Sequence, residues 1–230
     1  MDGMLYDALT LIIPLVFAIV FHEVAHGYVA KLLGDPTAQE RRRLTLNPIR
    51  HVDPFGTVVL PGFLALVGAP VFGWAKPVPV DARRLRNPRY GMMAVAAAGP
   101  GSNLVMAAIA AVVLGFLLQP YLGLQQPTGV AGFVAANLLN FIAINIFLAL
   151  FNLIPIPPFD GSHILEGLLP REAARKFASF QRYGLILMVL LLVVVPYVAP
   201  QLGLVERIVL PPATWLQERY FAIAEWVAHR

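Results

Sequence analysis

From Tyr90 to Phe159 the chain carries no Asp, Glu, Lys or Arg, and two apolar runs, Gly91 to Leu118 and Val130 to Ile154, fill most of that stretch. Backbone this far from charge is at home in a bilayer, where every N–H and C=O must be bonded within the protein, so helices are expected. At about 1.5 Å per residue either run is long enough for a hydrocarbon core of about 30 Å. The uncharged loop Gln119 to Gly129 joins them as a helical hairpin.

The remaining sequence reads the same way, being 58% hydrophobic and only 13% charged, an integral membrane composition rather than a globular one. Leu5 to Leu33 forms a first span, stopped by Gly34-Asp35-Pro36, and Tyr183 to Ala199 a further one. Met1 to Met4 lacks the basic start of a cleavable leader, so the first span is expected to stay in place. Residues 55–72 are apolar but interrupted by Pro61-Gly62, Gly68 and Pro70 and flanked by basic loops on both sides, so they either re-enter or span. Trp74 to Val80 alternates prolines with apolar residues and suits an interfacial edge strand or loop lining a groove. Residues 214–227 carry apolar positions at helical spacing among charges and suit an interfacial helix. The expected fold is therefore all-α: a polytopic membrane helical bundle of four to five spans, forming one domain over residues 1–230.

Seventeen basic residues give a net charge of +4, yet their placement points to lipid rather than nucleic acid. Five lie from Lys31 to Arg50, five from Lys76 to Arg89 and four from Arg171 to Arg182. The positive-inside rule puts these three loops in the cytoplasm. With no cysteine in the chain, any metal must be held by His, Asp or Glu.

Within the first span lies His22-Glu23-Val24-Ala25-His26, an H-E-x-x-H pattern whose Glu23 is the single charge between Ala8 and Ala30. Residues four apart share a helix face, so His22 and His26 can reach one metal ion. Neutral imidazoles suit Zn²⁺, and a carboxylate beside them can act as general base toward a metal-activated water. A third ligand is needed, and Asp160 is the best candidate. It sits at the end of an otherwise uncharged helix, where Pro155, Pro157 and Pro158 break the backbone and Gly161 releases it; irregular backbone at membrane depth requires a protein-lined or wet cavity.

The H-E-x-x-H pattern and the N-x-x-P-x-x-x-x-D-G pattern from Asn152 to Gly161 together resemble the site-2 protease family of intramembrane zinc metalloproteases, peptidase family M50. Leu46-Asn47-Pro48, His51-x-Asp53-Pro54-x-Gly56, Gly73 to Pro79 and Ala98-Gly99-Pro100-x-Ser102-Asn103 resemble its compact prokaryotic branch, without the PDZ or CBS domain of larger members. The resemblance implies one Zn²⁺ per chain on His22, His26 and Asp160, with Glu23 activating water and Asn152 holding a peptide carbonyl or oxyanion. It implies transmembrane protein substrates in a prokaryotic inner membrane, and the map of basic loops puts the active site toward the cytoplasm. Trp74, Lys76 and Pro77 are candidate substrate contacts, and His163 a candidate outer partner of the ligands. His51 and Asp53 are read mainly as loop hydrogen-bonding residues. Asn103, Asn137, Asn140 and Asn145 are read as ties between helices. A membrane zinc transporter or a metal-binding scaffold is the competing class, but the sequence has neither a His-rich loop nor an internal repeat. Oligomeric state is open.

Overall fold

The computed structural model describes residues 3–66, 73–123, 126–203 and 205–230. Helix α1 (Gly3–Leu32) leads into the short α2 (Thr37–Glu40), and α3 (Leu60–Leu66) continues a π-helical turn over Pro54–Val59. Next come α4 (Pro88–Leu118), α5 (Gly129–Asn152), α6 (Asp160–Leu168), α7 (Arg171–Ala178), α8 (Gly184–Val189), α9 (Val195–Val198) and α10 (Leu210–Ala228). No strand forms among the described residues. Four helical stretches are long and apolar enough to cross a membrane: Gly3–Leu32, Pro88–Tyr121, Gly129–Asn152 and Arg171–Val198.

Small residues let these helices approach closely. Ala107, Ala110 and Ala111 of α4 pack with Leu114 against Ala135, Ile142 and Ile146 of α5, the close contact that drives association where lipid is as apolar as the protein. Large apolar side chains point the other way, with Leu11 53%, Ile109 51% and Phe116 62% exposed, as a lipid-facing surface requires. Helix α4 starts where the Asn87 side chain accepts the Tyr90 N–H and Pro88 takes the first turn.

The helical stretch containing the expected 183–199 run begins upstream of it. Helical turns run from Arg171 to Val198, through a 3-10 turn at Gln181–Tyr183 and a π-helical turn at Leu190–Val194. Helix α10 contains the expected 214–227 segment, and its apolar face packs along α4 and α5 rather than standing free. Ala213 and Ala224 join the same core, and the Tyr220 hydroxyl donates to Leu104 O at 3.2 Å.

The flanks of the ambiguous segment at 55–72 lie beside each other. Asp53 caps it by accepting the N–H groups of Phe55 and Gly56. The chain then returns to its point of departure: Trp74 N–H donates to Gly56 O at 3.1 Å and the Thr57 hydroxyl donates to Trp74 O at 2.9 Å. Residues 67–72 lie outside the described ones.

Between Trp74 and Val80 the backbone is an extended loop rather than a strand. Trp74, Lys76 and Val78 direct their N–H groups into the protein, to Gly56 O, His51 O and Glu23 Oε2. The alternating Pro77 and Pro79 have no N–H, so the opposite edge offers chiefly carbonyl acceptors and no regular two-way ladder. Asp35, fully buried just beyond α1, fastens the far end of this strip by accepting the Asp81 N–H at 2.6 Å.

Candidate metal centre

His22 and His26 project from one face of α1 and are 8% and 9% exposed. Asp160, the first residue of α6, meets them because the chain breaks after α5 and turns back through Pro155–Phe159. His22 Nε2 lies 3.0 Å from His26 Nε2, and Asp160 Oδ2 lies 3.1 Å from the former and 3.3 Å from the latter.

Hydrogen bonds behind the rings determine which nitrogen carries the proton. The amide NH₂ of Asn103 donates to Ala18 O at 3.2 Å and to Asn145 Oδ1 at 2.7 Å, so its Oδ1 must face His22. His22 therefore donates from Nδ1, at 2.6 Å. His26 donates from Nδ1 to Val95 O at 2.7 Å. Both Nε2 atoms are left with lone pairs, and Asp160 Oδ2 is buried with no hydrogen-bond donor. Three lone pairs this close repel unless a cation lies among them. A tetrahedral zinc with ligand bonds of about 2.0–2.1 Å places its ligands about 3.3 Å apart, so the donor set and spacing fit Zn²⁺.

Gly99 of α4 makes this arrangement possible. A Cβ there would stand 2.5 Å from His26 Cε1 and 2.6 Å from His22 Cε1, so only glycine lets α4 lie flat on both imidazoles.

Across residues 10–195 the chain matches the family model described as Peptidase family M50. The chain belongs to that family. This M50 peptidase is 41% identical over 201 residues to "Putative zinc metalloprotease YwhC" of Bacillus subtilis (strain 168), covering 84% of the chain and 86% of that relative. It is 28% identical over 177 residues to "Putative zinc metalloprotease Rip2" of Mycolicibacterium smegmatis, covering 76% of the chain and 63% of that relative. No solved structure matches it. The protein is accordingly a zinc metalloprotease of membranes, acting on protein substrates.

The other expected site residues of this M50 peptidase are placed unevenly. Glu23 is half-buried, and its Oε2 accepts the Val78 N–H at 2.7 Å, tying the 73–80 strip to the metal centre. Asn152 sits at the end of α5, where one of its amide N–H groups donates to Leu148 O at 2.9 Å; no bond joins it to the three converging side chains. His163 turns away from them, with Nδ1 3.2 Å from Gln181 Nε2 and 3.7 Å from Glu166 Oε2. The partners behind the His22 and His26 rings are Asn103 and the Val95 carbonyl. Trp74 lies against Phe55, with ring centroids 6.0 Å apart, while Lys76 and Pro77 are exposed. His51 bonds Thr45 O through Nε2 at 2.9 Å, and Asp53 caps the Pro54–Val59 turn, so both act in the loop.

Sequence reasoning marked Asn103 and Asn145 as helix ties but missed that they form one chain of bonds ending on His22. The available signal was two amides inside otherwise apolar helices, each costly there unless fully bonded.

Proposed function

We propose that this M50 peptidase hydrolyses peptide bonds in or beside transmembrane segments, with His22, His26 and Asp160 holding one Zn²⁺ and Glu23 as general base. The observation that carries it is the convergence of His22 Nε2, His26 Nε2 and Asp160 Oδ2 within 3.3 Å of one another, with the Glu23 carboxylate one residue along the same helix. A zinc ion held by His22, His26 and Asp160 would supply a water of pKa about 7 and Lewis-acid polarisation of the scissile carbonyl. Glu23 keeps Oε2 on the Val78 N–H, which leaves Oε1 to take the water proton and pass it to the leaving amine. Asn152 retains a second amide N–H beyond the one on Leu148 O, available to a peptide carbonyl or oxyanion.

A spanning helix hides its carbonyls in its own bonds, so the substrate must unwind before attack. The 73–80 strip can hold the unwound segment by edge pairing. Because Pro77 and Pro79 lack N–H groups, pairing there rests mainly on carbonyls accepting substrate N–H groups. Trp74, Lys76 and Pro77 lie along this strip. The basic loops orient the site toward the cytoplasmic side of a prokaryotic inner membrane, and residues 1–230 act as one domain. Among the described residues His22, His26 and Asp160 are the one group of three clustered metal-ligating side chains, whereas a transport path would string several along the membrane.

Co-expression of candidate membrane substrates with the wild type and with Glu23→Gln tests this. Cleavage is expected to stop while zinc stays bound. Persisting cleavage, or zinc flux into proteoliposomes, would replace the reading.

A further inference from the structure

A cavity of about 260 Å³ beside the 73–80 strip is lined by Arg41, Arg43, Lys76, Pro77 and Pro79. Three of those five residues are cations and none is acidic. None of the three lies within ion-pair distance of a carboxylate among the described residues. Arg43 is the anomaly: it is only 8% exposed, and among the described residues one Nη2 bond to Lys76 O at 2.7 Å is its sole side-chain hydrogen bond and its buried Nε has no partner. An unpaired guanidinium is rarely buried, because the loss of hydration goes uncompensated. A surface arginine placed only for membrane topology has no reason to be.

We propose that this cavity binds a phosphate-bearing anion, the headgroup of an anionic phospholipid. Guanidinium groups suit phosphate oxygens through their fork of N–H donors, and the volume, just below the range of about 300–1,000 Å³ typical of small-molecule pockets, suits a headgroup rather than a whole lipid. The surrounding loop favours a lipid source. Leu46, Ile49 and Val52 are 50%, 77% and 40% exposed on the same connection as Arg41, Arg43 and Arg50, a mixture of bare apolar and basic groups that suits the boundary between acyl chains and anionic headgroups.

Occupancy also bears on the metal centre, a consequence that rests on the proteolytic reading. Arg43 holds the Lys76 carbonyl, and two residues on, Val78 holds Glu23. An anion that locks Arg43 and Lys76 in place therefore braces the strip that positions the Glu23 carboxylate.

Native mass spectrometry of the full-length protein, titrated with phosphatidylglycerol or phosphatidylcholine, tests the binding. Wild type is expected to retain phosphatidylglycerol at least tenfold better, the Arg41→Gln/Lys76→Gln double variant and Arg43→Gln to lose that preference, and Glu23→Gln to keep it. The double variant changes two exposed side chains and leaves the Arg43 bond in place, so its result stands even if Arg43→Gln fails to fold. Displacement of the lipid by millimolar inorganic phosphate supports the same pocket with soluble phosphate as a ligand. Equal retention of both lipids, unchanged preference in the double variant, or displacement by an acidic peptide but not by phosphate would overturn the assignment. In vesicles, wild-type cleavage is expected to be severalfold faster with phosphatidylglycerol than with phosphatidylcholine, and the double variant to lose that ratio. A ratio unchanged in the double variant would overturn the bracing, while Glu23→Gln separately reports whether the protein is a protease by this site.

Discussion

Replacing Asn103 separates metal positioning from helix packing. Asn103 is fully buried and makes three bonds: it accepts the His22 Nδ1–H at 2.6 Å and donates to Ala18 O and Asn145 Oδ1. Leucine at this position removes all three, leaving the His22 Nδ1–H and Asn145 Oδ1 unbonded in an apolar interior. Each orphaned group costs about 1–3 kcal/mol. Part of that loss falls on zinc: a ligating imidazole without its outer partner is free to change tautomer and turn, and such partners are worth about 10–100-fold in metal affinity, or about 1.4–2.8 kcal/mol. Aspartate still accepts from His22 but cannot donate to Asn145. Asn103→Asp is therefore expected to hold zinc as well as the wild type or better while losing thermal stability, and Asn103→Leu to lose both. Competition for zinc with a chromophoric chelator, paired with thermal unfolding of the same detergent-solubilised samples, reads the two effects separately. A folded Asn103→Leu protein with zinc affinity within twofold of the wild type would refute the reasoning.

Three further outcomes follow from the same geometry. Gly99→Ala puts a methyl group within 2.6 Å of both imidazoles; about 1–3 kcal/mol of destabilisation and a large drop in zinc content are expected from unfolding and metal analysis. Val78→Pro deletes the N–H held by Glu23, and should slow cleavage at least tenfold with zinc content unchanged. Burial alone would raise the Asp35 carboxyl, but the Thr37 hydroxyl and the N–H groups of Asp81 and Thr37 outweigh it and hold the group below the usual carboxylate range. The stability it contributes is thus complete above the unfolded-state pKa of about 3.9 and is lost as pH falls through the lower folded-state value; acid unfolding of wild type and Asp35→Asn should converge only below that pH.

The long apolar helices and the cluster of His22, His26 and Asp160 were legible because they rest on local patterns. The apolar runs set α1, α4 and α5 to within about three residues at each end, a spacing of four put His22 and His26 on one face, and the prolines before Asp160 announced a break at a depth where breaks are costly. What escaped is tertiary. Nothing in the neighbourhood of Asn103 says that its oxygen faces α1 and its nitrogen α5, since both partners lie far away in sequence. The bond from Trp74 N–H to Gly56 O likewise joins residues eighteen apart, and neither neighbourhood announces it. The 73–80 strip has the alternation of a strand, but strands are defined by their partners, and its own are a carboxylate and two loop carbonyls.

The most direct measurement is the cleavage of a purified, reconstituted transmembrane substrate by wild type and Glu23→Gln, with products mapped by mass spectrometry and zinc counted in the same samples. One zinc per chain in both proteins, with new termini in or beside the substrate's membrane segment from the wild type alone and a rate at least about 100-fold lower in the variant, is the expected result. Equal cleavage by the two proteins at equal zinc content would contradict the role given to Glu23 and, with it, the account of the site.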